Sequence, residues 1–190
     1  MVFKSIKRFW RRLCYFINAK KIWSRPRQSD VLIYDATSQE ILLEYLNPWH
    51  PEVLHLRGEQ INMQVLFFRL FRSWTMPDAY ADCFIEKVRP RLVVTAIDNN
   101  PSFYTISQRH PEVKTLFVQN GWRGNNLDVF DKLEEVGFDV SRNYFVDYML
   151  VFGSVIGEKY AQYIKGNTVI VGSIANNFMR KEKLPERGVI

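Results

Sequence analysis

Leu92-Val93-Val94-Thr95-Ala96-Ile97-Asp98-Asn99-Asn100-Pro101 passes directly from an unbroken apolar and β-branched run into a carboxylate, two amides and a proline. A run without polar alternation is how a strand buried on both faces reads, and such strands belong to parallel sheets covered by crossover helices. Pro101 fixes a helical φ and lacks the N–H that a first helical turn would leave unpaired. The stretch is therefore read as strand, polar turn and helix start.

The same unit recurs on either side. Strands are expected at Val31–Tyr34, Val53–Leu56, Leu92–Ile97, Thr115–Val118, Tyr148–Phe152 and Thr168–Val171. Helices are expected near Gln39–Leu46, Gln60–Trp74, Tyr80–Lys87, Phe103–Arg109, Leu127–Val136 and Val155–Ile164, with Asp78 capping one and Gly166-Asn167 stopping the last. Strands alternating with helices predict an α/β fold with a doubly wound, mostly parallel sheet covered on both faces. The chain of 190 residues, 47% hydrophobic and 24% charged, has the composition of one globular α/β domain.

In a parallel sheet every strand ends on the same edge, where open α/β proteins bind their ligands. The turns expected there are Asp35-Ala36-Thr37, Arg57-Gly58-Glu59, Asp98-Asn99-Asn100, Gln119-Asn120-Gly121-Trp122-Arg123-Gly124, Gly153-Ser154 and Gly172-Ser173. Amides, carboxylates and arginines offer paired donors and acceptors, and glycines let backbone N–H groups approach, which suits a hydroxyl-rich or phosphorylated ligand. No G-x-G-x-x-G follows the first strand, and neither a P-loop nor a G-x-S-x-G elbow is present, which disfavours nicotinamide, P-loop and serine-hydrolase chemistry. No cofactor is implied. His50, His55 and His110 share no ligand-like spacing, so no metal is assigned.

Each turn also has a plainer reading. Asp98 caps the next helix or bonds turn amides, or it faces a ligand and accepts a proton from a sugar hydroxyl. Gly121 allows a left-handed turn, Trp122 stacks on a sugar or base, and Arg123 pairs with phosphate; alternatively the tryptophan plugs the edge of the core. Arg57 and Glu59 form either an internal ion pair at a helix start or part of the site. Gly153 and Gly172 serve close approach, for packing or for a ligand.

The net charge of +6 is concentrated at one end. Residues 1–27 carry nine Lys or Arg and no acid, leaving seventeen basic against twenty acidic residues, so a nucleic-acid-binding face is not implied. Over residues 2–18, Val2, Phe3, Ile6, Phe9, Trp10, Leu13, Cys14, Phe16 and Ile17 share one helical arc opposite Lys4, Lys7, Arg8, Arg11 and Arg12. That pattern suits a helix lying on an anionic membrane surface, and equally one packing on the domain or acting as a targeting peptide. Arg11 and Arg12 break the apolar run, so it does not span a bilayer. Residues 24–29, with Pro26, read as a linker, giving 1–28 as helix and linker and 29–180 as the α/β domain. Cys14 and Cys83 have no pairing pattern and fit a reducing compartment.

Five ordered blocks carry a resemblance: Val31-Leu32-Ile33-Tyr34-Asp35-Ala36; Leu56-Arg57-Gly58-Glu59-Gln60-Ile61-Asn62; Val94-Thr95-Ala96-Ile97-Asp98-Asn99-Asn100-Pro101; Phe117-Val118-Gln119-Asn120-Gly121-Trp122-Arg123; and Val151-Phe152-Gly153 followed by Val171-Gly172-Ser173. Over residues 30–190 the chain resembles bacterial surface carbohydrate (surface polysaccharide) biosynthesis proteins, which look like two-domain GT-B glycosyltransferases. The resemblance implies the amino-terminal, acceptor-side half, with a Rossmann-like fold, a glycan or lipid-linked acceptor, and a nucleotide-sugar donor held by a carboxyl-terminal domain that residues 181–190 would lead into. It further implies a cytoplasmic protein on the inner face of the plasma membrane, inactive by itself. Related transferases often carry His-Gly where this chain has Asn120-Gly121. Asn120 does not take a proton at neutral pH, so Asp98 and then Glu59 become the candidate bases. The alternatives are a carbohydrate- or nucleotide-binding module without catalysis and a membrane-associated scaffold.

Overall fold

The computed structural model describes residues 16–72, 79–123, 129–136 and 143–178. Expectations for residues 2–15 and 181–190, and for the helix beginnings at Asp78 and Leu127, lie outside them.

Six parallel strands form the sheet: β2 (Val31–Tyr34), β3 (Glu52–Leu54), β5 (Leu92–Thr95), β6 (Lys114–Val118), β7 (Phe145–Val151) and β8 (Lys165–Ile170), in the order β3-β2-β5-β6-β7-β8. The expected α/β fold with its parallel sheet is present. Leu32 lies beside Val93, Val93 beside Thr115, Leu116 beside Tyr148 and Leu150 beside Val169, so the apolar runs are in register. A two-stranded parallel ribbon, β1 (Lys20–Ile22) with β4 (Gln60–Asn62), stands apart from the sheet.

The handedness of crossovers decides which face each helix covers. From β2 the chain steps outward to β3 through α1 (Gln39–Leu46) and a 3-10 turn at Asn47–Trp49. It then returns past β2 to β5 through α2 (Met63–Arg72) and α3 (Ala79–Val88), and continues the same way through α4 (Pro101–Tyr104), α5 (Ile106–Arg109), α6 (Val129–Val136) and α7 (Ser154–Ala161). One hand with two directions places α1 on one face and the other helices on the opposite face. The larger core accordingly joins Leu32, Tyr34, Val93, Phe117 and Met149 to Val65, Phe84, Phe103, Tyr104, Phe130 and Tyr160. The smaller joins Val31, Ile33, Val94, Ala96 and Val118 to Leu42 of α1, with Ile174 of a second 3-10 turn (Ile174–Phe178) packed against it. Coverage of this second face is incomplete. Tyr148 and Val169 stay 45% and 41% exposed, and β8 is exposed along its length, so among the described residues coverage of this face thins from β6 toward β7 and β8.

Other departures have local causes. Gln60–Asn62 was expected to begin a helix, but it pairs with Lys20–Ile22, and the Asn62 side-chain oxygen accepts the Val65 N–H at 3.1 Å, capping α2 only after the strand. The helix that follows β5 starts at Pro101 as expected, with Asn100 Oδ1 accepting the Ser102 N–H at 3.1 Å, but it divides at Thr105. Gly166 lies inside β8 instead of before it: at φ +139°, a Cβ there would stand 1.7 Å from the Val146 carbonyl oxygen, so only glycine permits the pairing to begin this early.

Candidate functional site

Because all six strands are parallel, the turns after β2, β3, β5, β6, β7 and β8 leave at the carboxyl edge of the sheet. The strand order reverses direction between β2 and β5, which puts Asp35 and Asp98 at the topological switch point.

Asp35 ends β2 at φ 74°, a left-handed conformation that a short polar side chain stabilises by bonding locally. Its Oδ1 accepts the Thr37 N–H at 3.0 Å and the Thr37 hydroxyl at 2.8 Å, while Oδ2 accepts Arg57 Nε at 3.0 Å. The carboxylate is buried and the Arg57 side chain is 53% exposed, so the pair anchors one end of a guanidinium whose other end meets solvent. Glu59 Oε2 accepts the Arg57 N–H at 3.2 Å and lies 4.0 Å from His55 Nδ1. That nitrogen is buried without a hydrogen bond. Burial holds the His55 pKa below its usual value, against the opposing charges of Glu59 and Asp35, so its imidazole is neutral at pH 7.

Asp98 sits at the centre of a second group and is 1% exposed. Arg123 donates to both carboxylate oxygens, from Nε at 3.0 Å and from its terminal nitrogen; Tyr160 donates to Oδ2 at 2.6 Å; and the Tyr104 hydroxyl donates to the Asp98 carbonyl. Burial opposes the Arg123 charge, but the Asp98 carboxylate and the Tyr160 hydroxyl outweigh it and raise the pKa further. Tyr160 is raised too, by burial first and then by the adjacent carboxylate. With its oxygens occupied this way, Asp98 fixes the loop that carries Trp122, which is 76% exposed beside it.

Gln119 joins the next two turns. Its Nε2 donates to the Gly121 carbonyl at 2.9 Å and its Oε1 accepts the Phe152 N–H at 2.9 Å, immediately before Gly153 and Ser154 open α7. Gly121 has no left-handed φ, contrary to the turn expected of it. A Cβ at Gly121 or Gly153 would meet nothing within 4 Å, so packing among the described residues does not demand either glycine. Asn99 and Asn120 are exposed; Asn100 is engaged as the α4 cap. Gly172 takes φ 67°, and the Ser173 carbonyl accepts the Asn176 N–H at 3.1 Å.

Tyr160, Tyr104 and His55 are additions at this edge, whereas Thr37 belongs to the Asp35-Ala36-Thr37 turn expected there. An aspartate closing a buried strand announces that something must neutralise it, but the partner from α7 leaves no mark in local sequence. His55 did carry a signal, lying two residues from Arg57 at the end of an expected strand. A separate cleft of about 450 Å³ opens at the opposite edge between Gln108, Lys114, Tyr144, Phe145 and Lys165. Its acid, Asp147, is already committed to β6 through Lys114 Nζ at 2.8 Å and the Thr115 N–H at 3.0 Å.

Residues 116–187 match the model of a family described as "putative O-antigen biosynthesis protein". No curated protein and no solved structure matches the chain. The match begins inside β6 and takes in the Gln119–Arg123 turn, α7 and β8. It supports a connection with surface polysaccharide biosynthesis. Among the described residues, no helix is long and apolar enough to cross a membrane.

Proposed function

We propose that this chain is the acceptor-side, amino-terminal half of a GT-B-like glycosyltransferase of surface polysaccharide assembly. The observation carrying the reading is the carboxyl edge of the parallel sheet, where the Asp35–Arg57 and Asp98–Arg123 pairs and the exposed Trp122 stand on neighbouring strand ends beside turns whose glycines leave space open. Arginine and indole together suit a glycan or lipid-linked acceptor that offers hydroxyls, a sugar face and a phosphate. In the reaction the acceptor hydroxyl yields its proton as its oxygen bonds to the anomeric carbon of the donor sugar. The bond from that carbon to the phosphate oxygen breaks, and the nucleoside diphosphate departs with the electron pair. The donor belongs to a carboxyl-terminal domain in this reading, and the chain alone transfers nothing.

The proton acceptor assigned here is the pair His55 and Glu59, because Asp98 is occupied by Arg123 and Tyr160 and acts as a positioning residue. The same occupation favours a second reading, a carbohydrate-binding module without catalysis, since neither Asp98 nor Asn120 offers a free base at the middle of the edge. Complementation of a deletion strain separates the two, read as the polysaccharide ladder on a gel. Trp122→Ala and Arg57→Ala lose the ladder under both readings. His55→Gln and Glu59→Gln lose it under the transferase reading and keep it under the module reading. A full ladder from all four variants contradicts both.

A further inference from the structure

The outward face of α2 carries two large apolar side chains beside Gln64, which is unusual for a helix at the surface of a globular domain. Met63 and Val65 are buried, yet Phe67 and Leu70, three residues apart and so on one ridge, are 47% and 45% exposed. The segment that precedes the sheet lies against this ridge. Trp23, 63% exposed, lies beside Phe67 with ring centroids 6.5 Å apart and planes tilted by 38°; Gln64 Nε2 donates to the Trp23 carbonyl at 2.8 Å; and Asn62 donates to the Ser24 carbonyl at 2.8 Å. Ile17, in the same preceding segment, is 61% exposed.

Charge decides what such a patch meets. Neither residues 16–29 nor α2 contains an acid, while Lys20, Lys21, Arg25, Arg27 and Arg69 all belong to them. Lys21 lies over the Phe16 ring at 5.4 Å and Lys87 over the half-buried Phe68 ring at 3.8 Å, so cationic heads on flexible stems sit beside aromatic side chains of both segments. A groove of about 470 Å³ between Arg25, Gln64, Phe67 and Lys87 separates them. Two acid-free segments remote in sequence are thus brought side by side, each offering aromatic or aliphatic side chains within a basic border. A protein partner would have to be acidic and apolar at once; the headgroup region of an anionic bilayer has both properties over any area. The basic, amphipathic pattern of residues 2–18 runs in sequence straight into this patch.

We infer that the folded domain itself carries an anionic-membrane contact surface formed by Trp23, Phe67 and Leu70 with Lys20, Lys21 and Arg25, in addition to whatever residues 2–18 contribute. The inference does not depend on what the carboxyl edge binds. Its test is flotation of the full chain with vesicles of phosphatidylcholine alone or mixed with phosphatidylglycerol. The wild type floats with the mixed vesicles only and is released by salt, with roughly a fivefold loss of partitioning for each basic residue neutralised. Trp23→Ser/Phe67→Ser/Leu70→Ser, all exposed positions outside residues 2–18, lowers partitioning about tenfold or more. Quenching of wild-type fluorescence by brominated lipid falls in Trp23→Phe. Partitioning of the triple variant equal to wild type, equal binding to neutral vesicles, or no change in quenching on losing Trp23 overturns the inference. So does a wild-type dimer that the triple variant converts to monomer, since the patch would then join two copies of the chain.

Discussion

Replacing Arg123 by methionine removes the cation from a carboxylate that has almost no access to water. The Arg123 and Asp98 side chains are 13% and 1% exposed, so solvent does not take over the lost role. Breaking a buried pair from one side costs about 3–5 kcal/mol, because the remaining charge is left without compensation. Tyr160 still donates to Asp98 at 2.6 Å, which places this case near the lower end, about 3 kcal/mol. That is a large share of the roughly 5–15 kcal/mol that stabilises a typical domain. At about 2–4 °C per kcal/mol for a chain of this size, the melting temperature drops by roughly 6–12 °C. Urea unfolding followed by circular dichroism measures the change directly, with the slope unaltered so that the midpoint reports stability. The control is Asp98→Asn/Arg123→Met, which removes the charge together with its partner while keeping an acceptor for Tyr160. It recovers about 1–2 kcal/mol of the loss. An Arg123→Met protein within about 1 kcal/mol of wild type, or a double variant less stable than the single one, refutes the reasoning.

Further outcomes separate architecture from site. Gly166→Ala drives a Cβ into the Val146 carbonyl and destabilises the protein by at least about 2–3 kcal/mol, whereas Gly153→Ala, in extended backbone with open space around it, changes thermal stability by less than about 0.5 kcal/mol. Arg57→Ala removes a half-exposed member of an ion pair and lowers the unfolding free energy measured in urea by no more than about 1 kcal/mol, while abolishing polysaccharide assembly in the complemented strain. Burial alone would raise the Asp147 pKa, but Lys114 and then Thr115 hold it below the usual carboxylate value. A depressed native pKa gives stability that is complete above about pH 4 and disappears as pH falls through the native value. Denaturant midpoints of wild type and Asp147→Asn therefore differ at neutral pH and converge below about pH 4.

The large features of the fold were legible for a physical reason. Strands buried on both faces, such as Val31–Tyr34 and Leu92–Thr95, read as uninterrupted apolar runs, and each hands over to polar turn residues at the same edge. The ribbon of Lys20–Ile22 with Gln60–Asn62 was not legible. Three-residue strands with lysine, glutamine and asparagine have neither apolar continuity nor alternation, and their pairing is decided by tertiary contact. At the site, composition showed which residues would gather at the edge but not how they would pair. Asp98 bonds Arg123 and Tyr160, from a turn and a helix that follow different strands, and no spacing along the chain distinguishes that arrangement from a free carboxylate. Asn62 was the exception that could have been found, since a capping residue just before Met63 marks where α2 starts.

The central claim is that the carboxyl edge of the sheet receives a hydroxyl-rich ligand. Amide NMR shifts during titration with hexose oligosaccharides and with nucleotide-sugars test it most directly, because the positions that respond name the surface used. The account predicts saturable shifts confined to residues 35–37, 57–59, 98–100, 119–123, 153–154 and 172–173. Shifts gathered instead around Lys114, Tyr144 and Lys165 at the opposite edge, or no response to any of these ligands, would contradict it.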